Sequence, residues 1–229
     1  MSAQAQAPLD LGFPRRRAMG RADFVVSPAN AEAVALVSEP GRWPGGRLAL
    51  TGPEGAGKTH LARVVMAETG AAMAEAAALR PSDAPDLIAC GAVVVEDADR
   101  LPDAADPAAA EEALFHLLNL AAADGAPVLL TGAAPPARWP AALPDLASRL
   151  AALTVATLGA PDDALLAAVI AKLLDDRRLA YEAPLPGYLS ARIERSFAAA
   201  AAAVAALDAA SLARKRPLTR RLAAETLGL

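Results

Sequence analysis

The octapeptide Gly52-Pro53-Glu54-Gly55-Ala56-Gly57-Lys58-Thr59 constrains this chain more than any other stretch of it. It fits G-x-x-x-x-G-K-[ST], a spacing that folds as a turn between a strand and a helix. Both flanks agree. Arg47-Leu48-Ala49-Leu50-Thr51 reads as a short apolar strand, and Lys58 to Glu68 reads as a helix. Glycines let successive backbone N–H groups point into one concavity, with the positive end of a helix dipole behind them. Lys58 would reach the β- and γ-phosphates of a nucleotide, and Thr59 would hold Mg²⁺. The lysine is informative in itself. Lysine occurs only at 58, 172 and 215, against nineteen arginines, so its position directly after Gly57 calls for a reason.

A second pattern completes the first. Gly91-Ala92-Val93-Val94-Val95 is a β-branched run of the kind that fills a parallel strand buried on both faces, and it delivers Glu96 and Asp97 to its C-terminal end. Ligands of open α/β sheets bind at that end. With the register kept, Glu96 faces the metal and Asp97 the attacking water, with Asp99 close enough in sequence to replace either. Asp97 is one methylene shorter than a glutamate, so slow intrinsic hydrolysis is expected. Val128 to Thr131 is another buried strand, and Pro107 to Ala123 a helix between the two. Strands alternating with helices at this spacing predict an α/β fold with a parallel sheet.

The ends of the chain read differently. Residues 1–21 carry no period long enough to fold alone and are expected to be a tail. Ser27-Pro28 has the form of an N-cap and first helical residue for a helix reaching Val37. Residues 71–79 are Ala-rich and ambiguous. After Gly159 only helices are expected, at Pro161 to about Arg178, Leu189 to Leu207 and Thr219 to Leu227. The boundaries are therefore a tail at 1–21, a nucleotide-binding α/β domain at 22–156 and a small all-helical domain at 157–229.

Composition narrows the class. The 229 residues are 55% hydrophobic, which excludes a wholly disordered chain. A formal charge of −4 argues against a broad grip on nucleic acid, which needs concentrated Lys and Arg. The Arg214-Lys215-Arg216 and Arg220-Arg221 cluster reads as a solvated face. One cysteine, Cys90, excludes an intrachain disulfide and points to a reducing compartment; its side chain is expected in the core. Trp43 and Trp139 are expected to cover core edges, and His60 and His116 to pack on their helices. The N-terminus has no secretory pattern, and no uncharged apolar run reaches membrane-spanning length.

Phe24-Val25-Val26-Ser27-Pro28-Ala29-Asn30, and the glycine-rich turn running on into His60-Leu61, look like the AAA+ domain of the bacterial replication initiator DnaA. Glu111-Glu112-Ala113-Leu114-Phe115-His116-Leu117-Leu118-Asn119 is similar to the initiator's helix after its acidic strand. The resemblance runs from about residue 22 to the end. Nothing follows residue 229 where the initiator has its DNA-binding domain, and the segment between Glu68 and Val93 is short. The chain therefore resembles the DnaA-related Hda family, whose members inactivate the initiator. Gln6-Ala7-Pro8-Leu9-Asp10-Leu11 resembles that family's clamp-binding hexapeptide, with Gln6, Leu9 and Leu11 as contacts and Phe13 adding apolar area.

The resemblance implies an AAA+ core with a helical lid and a set of roles. Residues 52–59 and His60 would bind ADP or ATP, with Val25, Val26 and Asn30 on the adenine side. Glu96 and Asp97 would be the Walker B acids, with Mg²⁺ on Thr59 and Glu96. Thr131 would be sensor I, Arg195 sensor II, and Arg149 an arginine finger offered in trans. The implied partners are the DNA polymerase sliding clamp and DnaA, with a further copy of the chain left open. DNA would be met mainly through the clamp, in the cytoplasm and away from membranes. Two other classes stay open: a self-sufficient ATPase of helicase-loader type, and a non-catalytic clamp-bound scaffold.

Overall fold

Runs such as Val93 to Val95 and Val128 to Leu130 are tolerated only where both faces of a sheet are covered. The computed structural model, which describes residues 24–28, 30–214 and 216–229, builds that arrangement. Its strands are β1 (Arg47–Thr51), β2 (Ala72–Glu75), β3 (Val93–Glu96), β4 (Val128–Gly132) and β5 (Thr154–Thr157). All pair in parallel, in the spatial order β2-β3-β4-β1-β5. Side chains alternate between the faces. Ala49, Val93, Val95, Val128 and Leu130 pack with α3 (Ala84–Ile88), α4 (Pro107–Asp124) and α5 (Pro144–Ala151). Leu48, Leu50, Val94 and Leu129 pack with α1 (Ala31–Val37) and α2 (Lys58–Thr69).

This order places the site. After β1 the chain crosses one face by α2 to the far edge strand β2. After β4 it crosses the other face by α5 to β5, on the other side of β1. The crevice beyond the C-terminal ends of β1 and β4 is therefore a topological switch point, where such sheets take their ligands. The glycine-rich turn follows β1, and Thr131 and Gly132 end β4.

The chain then turns wholly helical, through α6 (Asp163–Asp176), α7 (Leu185–Ser190), α8 (Phe197–Arg214) and α9 (Arg220–Leu227). These share a core of their own, with Leu166, Ile170, Leu174, Leu189, Val204 and Leu207 buried in it. Polar side chains start several helices. Asp106, Asp162 and Thr219 accept from the backbone N–H groups of Ala109, Leu165 and Leu222 at 3.1, 2.7 and 3.1 Å.

Several expectations are corrected. The first helix begins at Ala31, not at Pro28. Asn30 precedes it, and its carboxamide accepts from Ser27 N–H and donates to the Val25 carbonyl. The helix expected from Leu189 to Leu207 is two helices, because residues 191–196 leave the helical conformation between α7 and α8. β5 was not expected: in Thr154–Thr157 only Ala156 is buried, so no apolar run announces it. Residues 72–75 resolve into the edge strand β2. Cys90 is exposed rather than in the core. Trp43 and Trp139 do cover core edges, donating their indole N–H groups to the carbonyls of Leu36 and Ala134.

α8 is long and apolar enough, by length and composition, to cross a membrane. Within it Ala200, Val204 and Leu207 pack into the helical core. The basic residues after it are largely paired. Arg214 and Arg221 both reach Glu225, at 2.8 and 3.0 Å, and hold its carboxyl below the usual range; Arg220 lies 3.8 Å from Glu182. A cluster with carboxylates so interleaved is a solvated face.

Candidate nucleotide site

The turn between β1 and α2 needs glycine for steric reasons at two positions. Gly52 has φ +154°, and a Cβ there would lie 2.3 Å from the Leu158 carbonyl oxygen. Gly55 has φ +74°, and a Cβ there would lie 2.5 Å from the Cβ of Ser196. The first obstacle is backbone beside β5 and cannot move aside. Gly52→Ala should therefore lower the melting temperature by about 5–10 °C, from roughly 2–3 kcal/mol of strain in a domain of this size. A thermal melt checks this, with Gly41→Ala, which meets nothing within 4 Å, as the neutral control.

Lys58 opens α2, with Gly57 as a left-handed N-cap and no side chain capping the first turn. Those N–H groups are a standing anion site. The Lys58 ammonium folds over the turn and donates to the carbonyls of Gly52 at 2.7 Å and Pro53 at 3.1 Å. That uses two of its three donors and holds the charge above the concavity. Glu54 and Thr59 are exposed, and Ala56 is buried beneath the turn.

The acidic turn lies across the same crevice. Glu96 ends β3 and, by the strand register, shares with Thr131 and Leu50 the face that α2 covers. Its Oε1 is buried and has no hydrogen-bond partner, which is a costly arrangement unless something else meets that oxygen. Asp97 takes a left-handed conformation, φ +52° and ψ +48°. Its N–H donates to Thr131 Oγ1 at 3.0 Å, with Thr131 itself buried. Asp99 Oδ2 accepts from Ala133 N–H at 2.7 Å. These two bonds tie the turn after β3 to the end of β4. Asp99 thus braces this turn.

The helical part reaches the glycine-rich turn directly. Phe197 N–H donates to the Gly55 carbonyl at 3.0 Å, and the Phe197 ring stands over Gly57. Ser196 caps α8 by accepting from Ala199 N–H at 3.0 Å. Arg195, one residue earlier, turns its guanidinium to Asp163 on α6 at 3.0 Å, with both side chains more than half exposed. On the other flank Phe24 packs edge-on against His60, with ring centroids 5.4 Å apart. Val25 is half-buried and Val26 is 56% exposed. Asn30 spends its carboxamide on the backbone of 25–27, so it shapes this flank from within.

Arg149 stands elsewhere. It lies on α5 with its guanidinium 5.1 Å from the centre of the Phe115 ring on α4. Arg47, the first residue of β1, is close by: burial, and then the charge of Arg149, push the Arg47 guanidinium below its usual range. The cradle follows Thr51, the last residue of that strand. Among the described residues Arg149 makes no ion pair. Gln6, Leu9, Leu11, Phe13 and the rest of the expected tail lie outside the described residues.

Solved structures share this arrangement. Domain III of the replication initiation protein DnaA from Thermotoga maritima matches with a TM-score of 0.75 and 18% identity, over 94% of this chain and 98% of that one. The RuvB Holliday junction branch migration motor of Thermotoga maritima matches at 0.61 and 17%, over 80% and 61%. The fold is AAA+. AMPPCP-bound DnaA from Aquifex aeolicus matches at 0.59 and 16%, over 75% of this chain and 59% of that one. The chain thus spans nearly all of the isolated initiator domain and less than two thirds of these longer AAA+ chains. No protein-family model and no curated protein matches the chain.

Around this site, sequence reasoning missed Ser196 and Phe197 as neighbours of the glycine-rich turn. A signal existed: both directly follow Arg195, which had been singled out. It also missed Asp99 as a brace, because a hydrogen bond spanning 34 positions has no local signature.

Proposed function

We propose that this chain is a nucleotide-bound AAA+ protein of bacterial DNA replication that negatively regulates initiation. The N-terminal tail, through Gln6, Leu9, Leu11 and Phe13, docks on the DNA-loaded sliding clamp. The AAA+ module then meets ATP-bound DnaA, and Arg149 enters the neighbour's site and promotes hydrolysis there. The observation that carries this reading is the position of Arg149. Among the described residues it is a cation without a carboxylate partner, next to a second arginine at the start of β1, the end of that strand away from the glycine-rich turn. Such a group is suited to an anion held by another molecule.

The chain's own nucleotide, ADP or ATP, would lie on the N–H groups of the turn at 52–59 and on the Lys58 ammonium. Val25, Val26, His60 and Phe24 would flank its base, with Asn30 holding that flank in shape. Arg195 would meet the phosphates only by leaving Asp163. A Mg²⁺ ion fits the donors present: Thr59 offers a hydroxyl, and Glu96 offers a buried, unpartnered carboxylate oxygen. Among the described residues no three acids, histidines or cysteines form a metal cluster, so phosphate oxygens would complete the coordination. The ion would neutralise phosphate charge. Thr131 would hold Asp97 facing the site through its N–H.

The test is hydrolysis of DnaA-bound ATP in the presence of clamp loaded on DNA, with and without this chain. Stimulation that requires the clamp is the expected result. Gln6→Ala should lower it by about tenfold at sub-saturating protein, the worth of one good hydrogen bond at the clamp. Absence of stimulation overturns the reading. ATP turnover by the chain alone would then point to an ATPase of helicase-loader type, and clamp binding with no effect on hydrolysis to a scaffold.

A further inference from the structure

Glu111 is a charged residue buried in the second turn of α4, only 6% exposed, and no step above uses it. Its carboxylate accepts from Ala142 N–H through both oxygens at 2.9 Å, and from Leu143 N–H through Oε2 at 2.9 Å. Those two amides immediately precede α5, whose N-cap, Leu143, has no side chain to cap with. A carboxylate here also lies at the favourable end of the α5 dipole.

The same stripe of α4 carries the rest of the mount. Phe115, one turn on at i+4, seats the Arg149 guanidinium. Leu118, at i+7, gives its carbonyl to Arg47 Nη2 at 3.0 Å. Leu146 and Leu150 flank Arg149 in sequence and are fully buried. They hold α5 onto the core, but apolar burial is non-directional and does not by itself set the register. A carboxylate held by two N–H groups is directional and fixes where α5 begins. An apolar residue could supply the burial without that constraint.

We infer that Glu111 is a positioning residue for Arg149, setting the register of α5 and hence the point at which the guanidinium is offered to a neighbouring chain. This inference rests on the trans role of Arg149 proposed above.

The test uses the full chain with E111Q and E111A in the same stimulated-hydrolysis assay, with amide exchange followed at Ala142 and Leu143. A misplacement of about 1 Å can cost roughly 100-fold in rate. E111A should lower the maximal stimulated rate by about that factor, and E111Q, which keeps one acceptor oxygen, by about tenfold. Half-saturation should stay within about twofold for both, since the contact surface is retained. Exchange at the two amides should accelerate in each variant. Faster exchange with an unchanged maximal rate would overturn the inference while leaving the role of Arg149 intact, as would a loss confined to half-saturation. E111Q answers the question if E111A fails to fold. No stimulation by the wild-type chain would overturn the trans reading and this inference with it.

Discussion

Lys58→Ala is expected to weaken nucleotide binding by about 100- to 1,000-fold. The ammonium is held by two carbonyls of the turn it follows, at 2.7 and 3.1 Å, so it is stationed over the concavity rather than free in solvent. Binding a polyphosphate would exchange these contacts for bonds to ionised oxygens. Charge-assisted hydrogen bonds contribute about 1.5–3 kcal/mol each, and one to two of them account for the factor. The fold should survive, because Lys58 is only half-buried and α2 is anchored by Leu61, Ala62 and Val65. Titration with a fluorescent ATP analogue reads the affinity, and a melt without nucleotide reads the fold. Lys58→Arg should rescue little, since a planar fork does not replace a compact ammonium that must also satisfy the turn. A variant that binds as tightly as wild type would remove the phosphate role from Lys58.

Much of this molecule was legible in its sequence where chemistry and spacing coincide. The turn at 52–59 announced itself because glycine at Gly52 and Gly55 answers contacts that no other residue fits, and because lysine is rare in this chain. β3 and β4 were readable because the unbroken runs Val93 to Val95 and Val128 to Leu130 demand a doubly covered sheet. β5 was not readable. It is an edge strand with one buried side chain, held in place by pairing with β1 rather than by its own pattern. The break between α7 and α8 was hidden for a similar reason. Residues 191–196 turn just before Phe197 N–H meets the Gly55 carbonyl, a contact set by tertiary structure ahead of the alanine-rich run that continues as α8. The acids were read by type and by order, with Glu96 toward the metal, Asp97 toward the water and Asp99 in reserve. The bonds that tie the Asp97 N–H to Thr131 and the Asp99 carboxylate to Ala133 each span 34 positions and leave no local trace in the sequence.

Arg149→Ala should abolish stimulated hydrolysis on the neighbouring chain, by a factor of about 10³ or more, the usual worth of an arginine finger. Arg149 and Arg47 are close enough for one to disfavour the charge of the other, and no carboxylate pairs with Arg149 among the described residues. The chain's own phosphates would lie at the other end of β1. The stability cost should be small. A half-exposed cation over an aromatic ring contributes about 0.5–1 kcal/mol, and removing it also relieves the repulsion on Arg47. A shift of no more than about 3 °C in the melt is expected. Affinity for the chain's own nucleotide should stay within about twofold, which separates this variant from Lys58→Ala. Arg149→Lys should recover only part of the rate, because charge without the planar fork stabilises a spread phosphoryl charge poorly. If the finger instead served another copy of this chain, the loss would appear in the chain's own turnover. Mixing Arg149→Ala with Lys58→Ala would then restore activity, since each mixed pair contains one intact cradle faced by one intact arginine. Recovery on mixing would move the partner from the initiator to a second copy, and loss of stimulation without recovery would keep it on the initiator.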